Sequence, residues 1–139
     1  MACSVLHFSL LKSAFLLLCL FAATLTGSSL PGNPYTLYPP LNLQVTQVEC
    51  SAYLQWQKPQ EPGGNTPPGL VGYYIYRDGI LVGQIGDPNT LAFFDYDTEW
   101  GTYTYALTAN YDLTPYGIPG QFGESPFSVP CAVVLNCDF

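Results

Sequence analysis

The sequence predicts an all-β protein in which seven short strands form an antiparallel two-sheet sandwich. From residue 42 onward, runs rich in Tyr, Val, Ile, Leu and Thr are separated by Gly, Pro, Asn or Asp at intervals of roughly eight to twelve residues. A sustained 3.6-residue apolar period, which would indicate amphipathic helices, is absent from this part of the sequence. Seven strands within about a hundred residues are typical of a sandwich domain.

The individual strands are predicted where apolar and polar residues alternate between two turn signals. They span residues 42–48, 52–57, 71–77, 80–85, 92–96, 102–111 and 127–135. The clearest turn is Asp78-Gly79, because both residues tolerate the positive φ angles of a type I′ hairpin. Two longer connections, 58–69 and 112–125, are rich in Pro and Gly and are predicted to be loops.

Residues 1–29 are predicted to be a signal peptide. Lys12 is followed by an apolar run at 13–23, which is too short to span a bilayer comfortably, and small residues follow it. A retained membrane anchor is the alternative. Residues 30–39 are rich in Pro, Gly, Ser and Asn and are predicted to be a linker, so the folded domain is expected over residues 40–136.

The charge balance limits the classes of partner. The chain has ten acidic and three basic residues and a net charge of -7, and only Lys58 and Arg77 remain as cations after the leader is removed. Such a field repels nucleic acid and anionic membrane surfaces. We therefore expect a secreted or cell-surface protein that binds neither nucleic acid nor, after signal cleavage, the membrane.

Over roughly residues 40–135 the chain resembles the fibronectin type III family. The matching segments are PLNLQV at 40–45, YLQW at 53–56, GYYIYR at 72–77, GTYTYALTA at 101–109 and GESP at 123–126. The strings YYIYRDG, GTYTY and GES are also similar to modules of secreted Bacteroidetes-type bacterial proteins. The resemblance implies an immunoglobulin-like sandwich and a role in adhesion, protein interaction or sugar binding. The stretch 112–122 is longer than in such modules.

The core is predicted from the period-2 alternation of strands two, three and six. The expected core residues are Trp56, on which the two sheets close, Tyr73, Ile75, Tyr105 and Leu107. Tyr103 occupies the position at which sandwich domains place a tyrosine corner, whose hydroxyl bonds back to the preceding backbone.

Export to an oxidising compartment favours a disulfide among the three cysteines that follow the leader, and their odd number allows at most one bridge between them. In the topology implied by the resemblance, the start of the second strand and the end of the last lie near one pole. This brings Cys50 close to Cys131 or Cys137, and we expect the pair Cys50–Cys131.

The residues available for catalysis are few. The sole histidine, His7, lies in the leader, so histidine-based triads and zinc sites are closed to the mature chain. We therefore expect a protein without enzymatic activity, cofactor or metal. One acidic set remains: Asp95, Asp97 and Glu99 have the oxygens for a calcium-dependent carbohydrate-binding site, or Asp95 and Glu99 for a small glycan hydrolase. The simpler interpretation is a solvated strand end.

Aromatic side chains are the candidate binding residues. They are Tyr74 and Tyr76 on the outer face of the third strand, and Tyr111, Tyr116 and Phe122 on or beside the loop 112–125. Stacking against a sugar or a protein partner would be natural there.

The simpler interpretation of these aromatic residues is structural. Tyr74 and Tyr76 would pair across strands with Thr104 and Ala106, and the loop aromatics would pack on the edge of the sandwich. The sequence thus leads to the hypothesis of a noncatalytic extracellular binding, adhesion or spacer module whose partner is a protein or a glycan.

Overall fold

The computed structural model describes residues 35–137 and contains two antiparallel sheets. Its strands are β1 (Leu41–Val48), β2 (Ser51–Gln57), β3 (Leu70–Arg77), β4 (Ile80–Ile85), β5 (Ala92–Asp95), β6 (Gly101–Asp112), β7 (Phe122–Glu124) and β8 (Cys131–Leu135). One sheet has the order β1-β2-β5; the other has the order β4-β3-β6-β7, with β8 also paired to β6. The predicted all-β antiparallel sandwich is confirmed.

The hairpin between β3 and β4 forms where the sequence predicts it. Asp78 and Gly79 have φ angles of 51° and 81°, as a type I′ turn requires, and Arg77 pairs with Ile80. The turn is also bonded to β6, because the Asp78 carboxylate accepts the Thr104 N–H at 2.8 Å and the Asp78 N–H donates to the Thr104 carbonyl. This end of the hairpin is therefore fixed against the start of β6.

The strand predicted over 127–135 begins only at Cys131, as β8, and a further short strand, β7, lies within the segment 112–125 that was predicted to be a loop, so the described residues contain eight strands rather than the predicted seven. β7 and β8 occupy successive parts of one side of β6. β7 pairs with residues 110–112 and β8 with residues 101–105. Pro126 and Pro130 have no N–H for a continuous ladder. In the gap, the hydroxyls of Ser125 and Ser128 accept the N–H groups of Ala109 and Leu107.

The core lies between the two sheets and contains the residues expected from alternation. Tyr73, Ile75, Tyr105 and Leu107 are fully buried. Trp56 is 4 % exposed, and its indole packs edge to face on Tyr73 with the ring centroids 5.4 Å apart. This arrangement joins the face of β2 to the face of β3.

The domain begins earlier than predicted. Leu37, which was assigned to the linker, is buried in the core, and the Tyr38 carbonyl accepts the Tyr111 hydroxyl at 2.6 Å. Apolar contact and a buried hydrogen bond thus attach this segment to the sandwich. The predicted signal peptide and the first part of the predicted linker lie outside the described residues. Within residues 35–137, no helix has the length and apolar character needed to cross a membrane.

Candidate binding site

The most exposed aromatic side chains of the described residues lie on one short loop. This loop, residues 96–100, follows β5 and is called the aromatic loop below. Tyr96 is 72 % exposed and Trp100 is 76 % exposed, whereas Thr98 between them is buried. Exposed apolar side chains mark interaction sites where they form a contiguous patch, and Tyr and Trp are enriched at interfaces.

The aromatic loop continues a row of rings on the outer face of the three-stranded sheet. Along β5, Phe93 points to the core while Phe94 points outward, opposite Tyr53 of β2. The rings of Tyr53 and Phe94 are 4.4 Å apart, and Phe94 stacks on Tyr96 at 5.3 Å with an interplanar angle of 10°. Because Tyr96 stands at the end of this row, its ring remains accessible.

The first attachment of the aromatic loop is Asp95, the last residue of β5. Its Oδ2 atom accepts hydrogen bonds from Arg77 Nη1 at 2.6 Å and from the Tyr105 hydroxyl at 2.8 Å. Its Oδ1 atom accepts the N–H of Asp97 at 3.2 Å, and Arg77 also donates to the Asp97 carbonyl at 2.9 Å. The start of the loop is therefore bound to both β3 and β6.

The second attachment involves the β1–β2 turn and the start of β6. The Thr98 hydroxyl donates to the Cys50 carbonyl at 2.6 Å, and a disulfide joins Cys50 to Cys137 with the Cα atoms 5.0 Å apart. The Glu99 N–H donates to the Tyr103 hydroxyl at 3.2 Å. The backbone of the loop is thus held from several sides, while its aromatic side chains remain in solvent.

Tyr103 makes the contact expected of a tyrosine corner, since its hydroxyl accepts the backbone N–H four residues earlier in the chain. The guanidinium carbon of Arg77 also lies 5.4 Å from the centre of its ring. Tyr103 therefore packs beneath the cation that binds Asp95 and contributes to the support of the aromatic loop.

The disulfide corrects the predicted pairing of Cys50 with Cys131. Cys131 begins β8 opposite Tyr105 and is fully buried, whereas Cys137 comes after the end of β8. The two ends of that strand lie at opposite poles, because the extended segment from 131 to 137 covers about 20 Å. Gln47 bonds to both backbone groups of Asn136 and so holds the end of the chain beside the β1–β2 turn.

The three acidic residues predicted for calcium binding or glycan hydrolysis, Asp95, Asp97 and Glu99, do not form one accessible site. Asp95 is 4 % exposed and its carboxylate is occupied by Arg77 and Tyr105. It therefore lacks the access to solvent that either chemistry needs. Asp97 and Glu99 are exposed, and no group of three or more His, Cys, Asp or Glu side chains within residues 35–137 is placed to hold a metal ion.

The outer tyrosines of β3 belong to a polar network. In the register of β3 and β6, Tyr74 faces Thr108 and Tyr76 faces Ala106, so the expected pairing of Tyr74 with Thr104 is wrong. The Tyr76 hydroxyl donates to Glu124 Oε1 at 2.6 Å. Burial, together with this carboxylate, raises the pKa of Tyr76 to about 12. The ring of Tyr76 remains partly accessible.

The predicted binding residues of the loop 112–125 differ in their exposure. Tyr111 is fully buried and donates its hydroxyl to Tyr38, so its proposed role in binding is wrong. The ring of Tyr116 lies 5.2 Å from that of Tyr35, and its hydroxyl donates to the Pro68 carbonyl. Only Phe122 of these three is open to solvent, at 64 % exposure. The two long loops thus pack on each other rather than standing free.

Tyr96 and Trp100 were not among the predicted binding residues, although the sequence contains a signal for Tyr96. The segment 92–96 has aromatic residues at both parities, Phe93 and Phe94, so at least one ring must face away from the core. Continuing the alternation from Phe94 places Tyr96 on the same outer face. The exposure of Trp100 depends on the path of the loop and has no such signal.

The comparisons with known proteins support the fold. A scan against protein-family models found no match, and a search of curated proteins found none. Among solved structures, the chain is similar to the central fibronectin-III array of RIM-binding protein, with a TM-score of 0.51 and 14 % sequence identity. The likeness covers 70 % of this chain and 35 % of that one, and at this identity it establishes the fold alone. The protein therefore has the fold of a fibronectin type III domain.

Proposed function

We propose that the protein is a noncatalytic extracellular binding module that contacts its partner through the aromatic loop. The observation that carries the proposal is the exposure of Tyr96 and Trp100 on a loop whose backbone is attached to the sandwich. Tyr and Trp are the residues that most often dominate binding energy at protein interfaces. A loop ordered in advance also loses less conformational entropy when a partner binds.

A binding role is favoured over a spacer role by the cost of these exposed rings. A spacer gains nothing from apolar side chains in solvent, which promote nonspecific association. The attachments of the loop would likewise be unnecessary in a spacer. Hydrogen bonds from Thr98 and to Asp95, together with the disulfide at Cys50, hold this loop more closely than a simple connection requires.

The noncatalytic and extracellular parts of the proposal rest on other residues. The carboxylate of Asp95 is bound within the domain, and the sole histidine, His7, lies in the predicted signal peptide. A disulfide between Cys50 and Cys137 supports an oxidising compartment, where such bridges persist. The predicted signal peptide supports the same location.

The test compares three forms of the disulfide-bonded protein as immobilised bait. They are the wild type, a double variant Tyr96→Ser with Trp100→Ser, and a control variant Phe122→Ser, which removes an exposed ring outside the aromatic loop. Each bait is exposed to surface and secreted material from the native host and to a glycan array. Urea unfolding of all three verifies that they are equally folded.

We expect the wild type and Phe122→Ser to retain the same partner and the double variant to lose it. A partner bound equally by the double variant would contradict the proposed site. Loss caused by Phe122→Ser alone would place the contact at the loop 112–125 instead. Absence of any partner for the wild type would favour the spacer role.

A further inference from the structure

The exposed part of the aromatic loop consists of two rings with two carboxylates between them in the sequence. Asp97 and Glu99 lie between Tyr96 and Trp100, and all four side chains are exposed. Within residues 35–137 the single ion pair joins Arg77 to Asp95, so neither Asp97 nor Glu99 has a cationic partner from this part of the chain. The loop thus presents two aromatic rings and two uncompensated negative charges together.

The cations of the described residues are committed elsewhere. Arg77 binds the buried Asp95. Lys58 follows the end of β2 and donates to Asn89, which precedes β5, at 2.7 Å. This pair therefore lies at the end of β2 and β5 that is opposite to the aromatic loop. The whole chain carries a net charge of -7. This field attracts positively charged partners and repels negatively charged ones.

We propose that the aromatic loop binds an arginine-containing segment of a basic partner protein, an inference that rests on the proposed function. The guanidinium lies over the ring of Tyr96 or Trp100 and donates to the carboxylate of Asp97 or Glu99. Its planar shape allows it to stack on a ring and to bind a carboxylate through two parallel hydrogen bonds. The domain makes a related arrangement internally, where Arg77 lies over Tyr103 and binds Asp95.

Charge distinguishes this partner from a neutral glycan. A sugar ring would use the same aromatic surfaces, but it would leave Asp97 and Glu99 without a cation. An arginine-containing segment uses both the rings and the carboxylates, so it accounts for every exposed side chain of the loop. Binding should therefore weaken as salt concentration rises, which is not expected for a neutral sugar.

The two tryptophans of the chain provide a direct assay. Trp100 is exposed and Trp56 is buried, so the indole N–H signals in a ¹⁵N NMR spectrum report the loop and the core separately. The probe is a capped peptide in which arginines alternate with glycines. Its controls are the same peptide with neutral citrulline in place of arginine, and a neutral β-linked glucose hexasaccharide.

The protein variants isolate the role of the charges. Asp97→Asn with Glu99→Gln removes the carboxylates of the loop and leaves its rings. The matched control, Glu61→Gln with Asp87→Asn, makes the same change in net charge near the loop 58–69 and the β4–β5 connection. Each variant is titrated with the arginine peptide at low and at high salt.

We expect the arginine peptide to shift the Trp100 signal and to leave Trp56 unchanged. The Asp97→Asn, Glu99→Gln variant should bind about tenfold more weakly, as the loss of two exposed charge pairs implies, and the control should bind like the wild type. Equal shifts with the citrulline peptide, or equal weakening in both variants, would overturn the inference. A Trp100 shift caused only by the hexasaccharide would overturn it too, while leaving the aromatic loop as the binding site of the proposed function.

Discussion

Replacing Asp95 by alanine is predicted to destabilise the domain more than any other change at the acidic strand end. Three donors lose their acceptor in Asp95→Ala: the Arg77 guanidinium, the Tyr105 hydroxyl and the Asp97 N–H. The side chain of Asp95 is 5 % exposed, so water does not reach these donors easily in the folded protein.

The magnitude follows from the burial of the two partners. Removing one member of a buried ion pair costs about 3 to 5 kcal/mol. The Arg77 side chain is 22 % exposed, so water partly solvates its charge and the lower end of that range applies. A buried Tyr105 hydroxyl without an acceptor adds on the order of 1 kcal/mol. We therefore expect the free energy of unfolding to fall by about 3 to 4 kcal/mol.

The assay is urea unfolding of the oxidised protein, followed by near-UV circular dichroism. Asp97→Ala is the matched control, because Asp97 contributes backbone atoms to the network while its carboxylate is exposed. Its effect should stay within about 0.5 kcal/mol. In the Asp95→Ala background, Tyr105→Phe should cost less than it does in the wild type, since it removes a hydroxyl that is already unpaired.

The result that would refute this reasoning is a loss below about 1 kcal/mol in Asp95→Ala, or an equal loss in Asp97→Ala. An equal loss in Asp97→Ala would mean that the loss does not come from the Asp95 carboxylate, whereas a loss below about 1 kcal/mol would mean that Asp95 is solvated in solution. The carboxylate would then be accessible, and a role for it in glycan hydrolysis or calcium binding would have to be considered again.

Three further predictions concern the sandwich itself. Burial raises the pKa of Tyr73 to about 12, while an unfolded tyrosine titrates near 10. Between these two pH values only the unfolded chain loses the proton of this hydroxyl, which favours unfolding. The urea midpoint of the wild type should therefore fall between pH 9 and pH 11, and it should fall less steeply in Tyr73→Phe. Cys50→Ser opens a bridge across a sequence separation of 87 residues and should lower stability by up to about 4.5 kcal/mol, whereas an unchanged urea midpoint would argue against the bridge. Gly72→Ala should destabilise the domain by about 1 to 3 kcal/mol or more, because the added Cβ would lie 1.9 Å from the Ile85 carbonyl oxygen. The control Gly86→Ala adds a Cβ that meets no atom within 4 Å, so its thermal unfolding should be nearly the same as that of the wild type.

Local patterns were sufficient to predict much of the fold. The alternation in β3 and β6 identified Tyr73, Ile75, Tyr105 and Leu107 as inward-facing, because a strand places successive side chains on opposite faces whatever the surroundings. The turn at Asp78-Gly79 is equally local, since it depends on the φ angles that two adjacent residues tolerate.

The candidate site was harder to predict because its residues come from separate parts of the chain. Phe94 and Tyr96 share a face through local alternation, so their contribution was within reach of the sequence. The attachment of Thr98 to Cys50 joins residues that are 48 positions apart, and the contact of Arg77 with Asp95 joins residues 18 apart. Neither contact follows from the pattern of a single strand.

The sequence by itself determined the fold class, the positions of most strands and the inward faces of β3 and β6, because these properties depend on residue type and short-range periodicity. Tertiary structure decided the disulfide partner, the burial of Asp95 and Tyr111, and the exposure of Trp100. Cys50 meets Cys137 because β8 runs toward the pole of the β1–β2 turn. Such outcomes depend on the path of the whole chain, which brings side chains together that no local pattern relates.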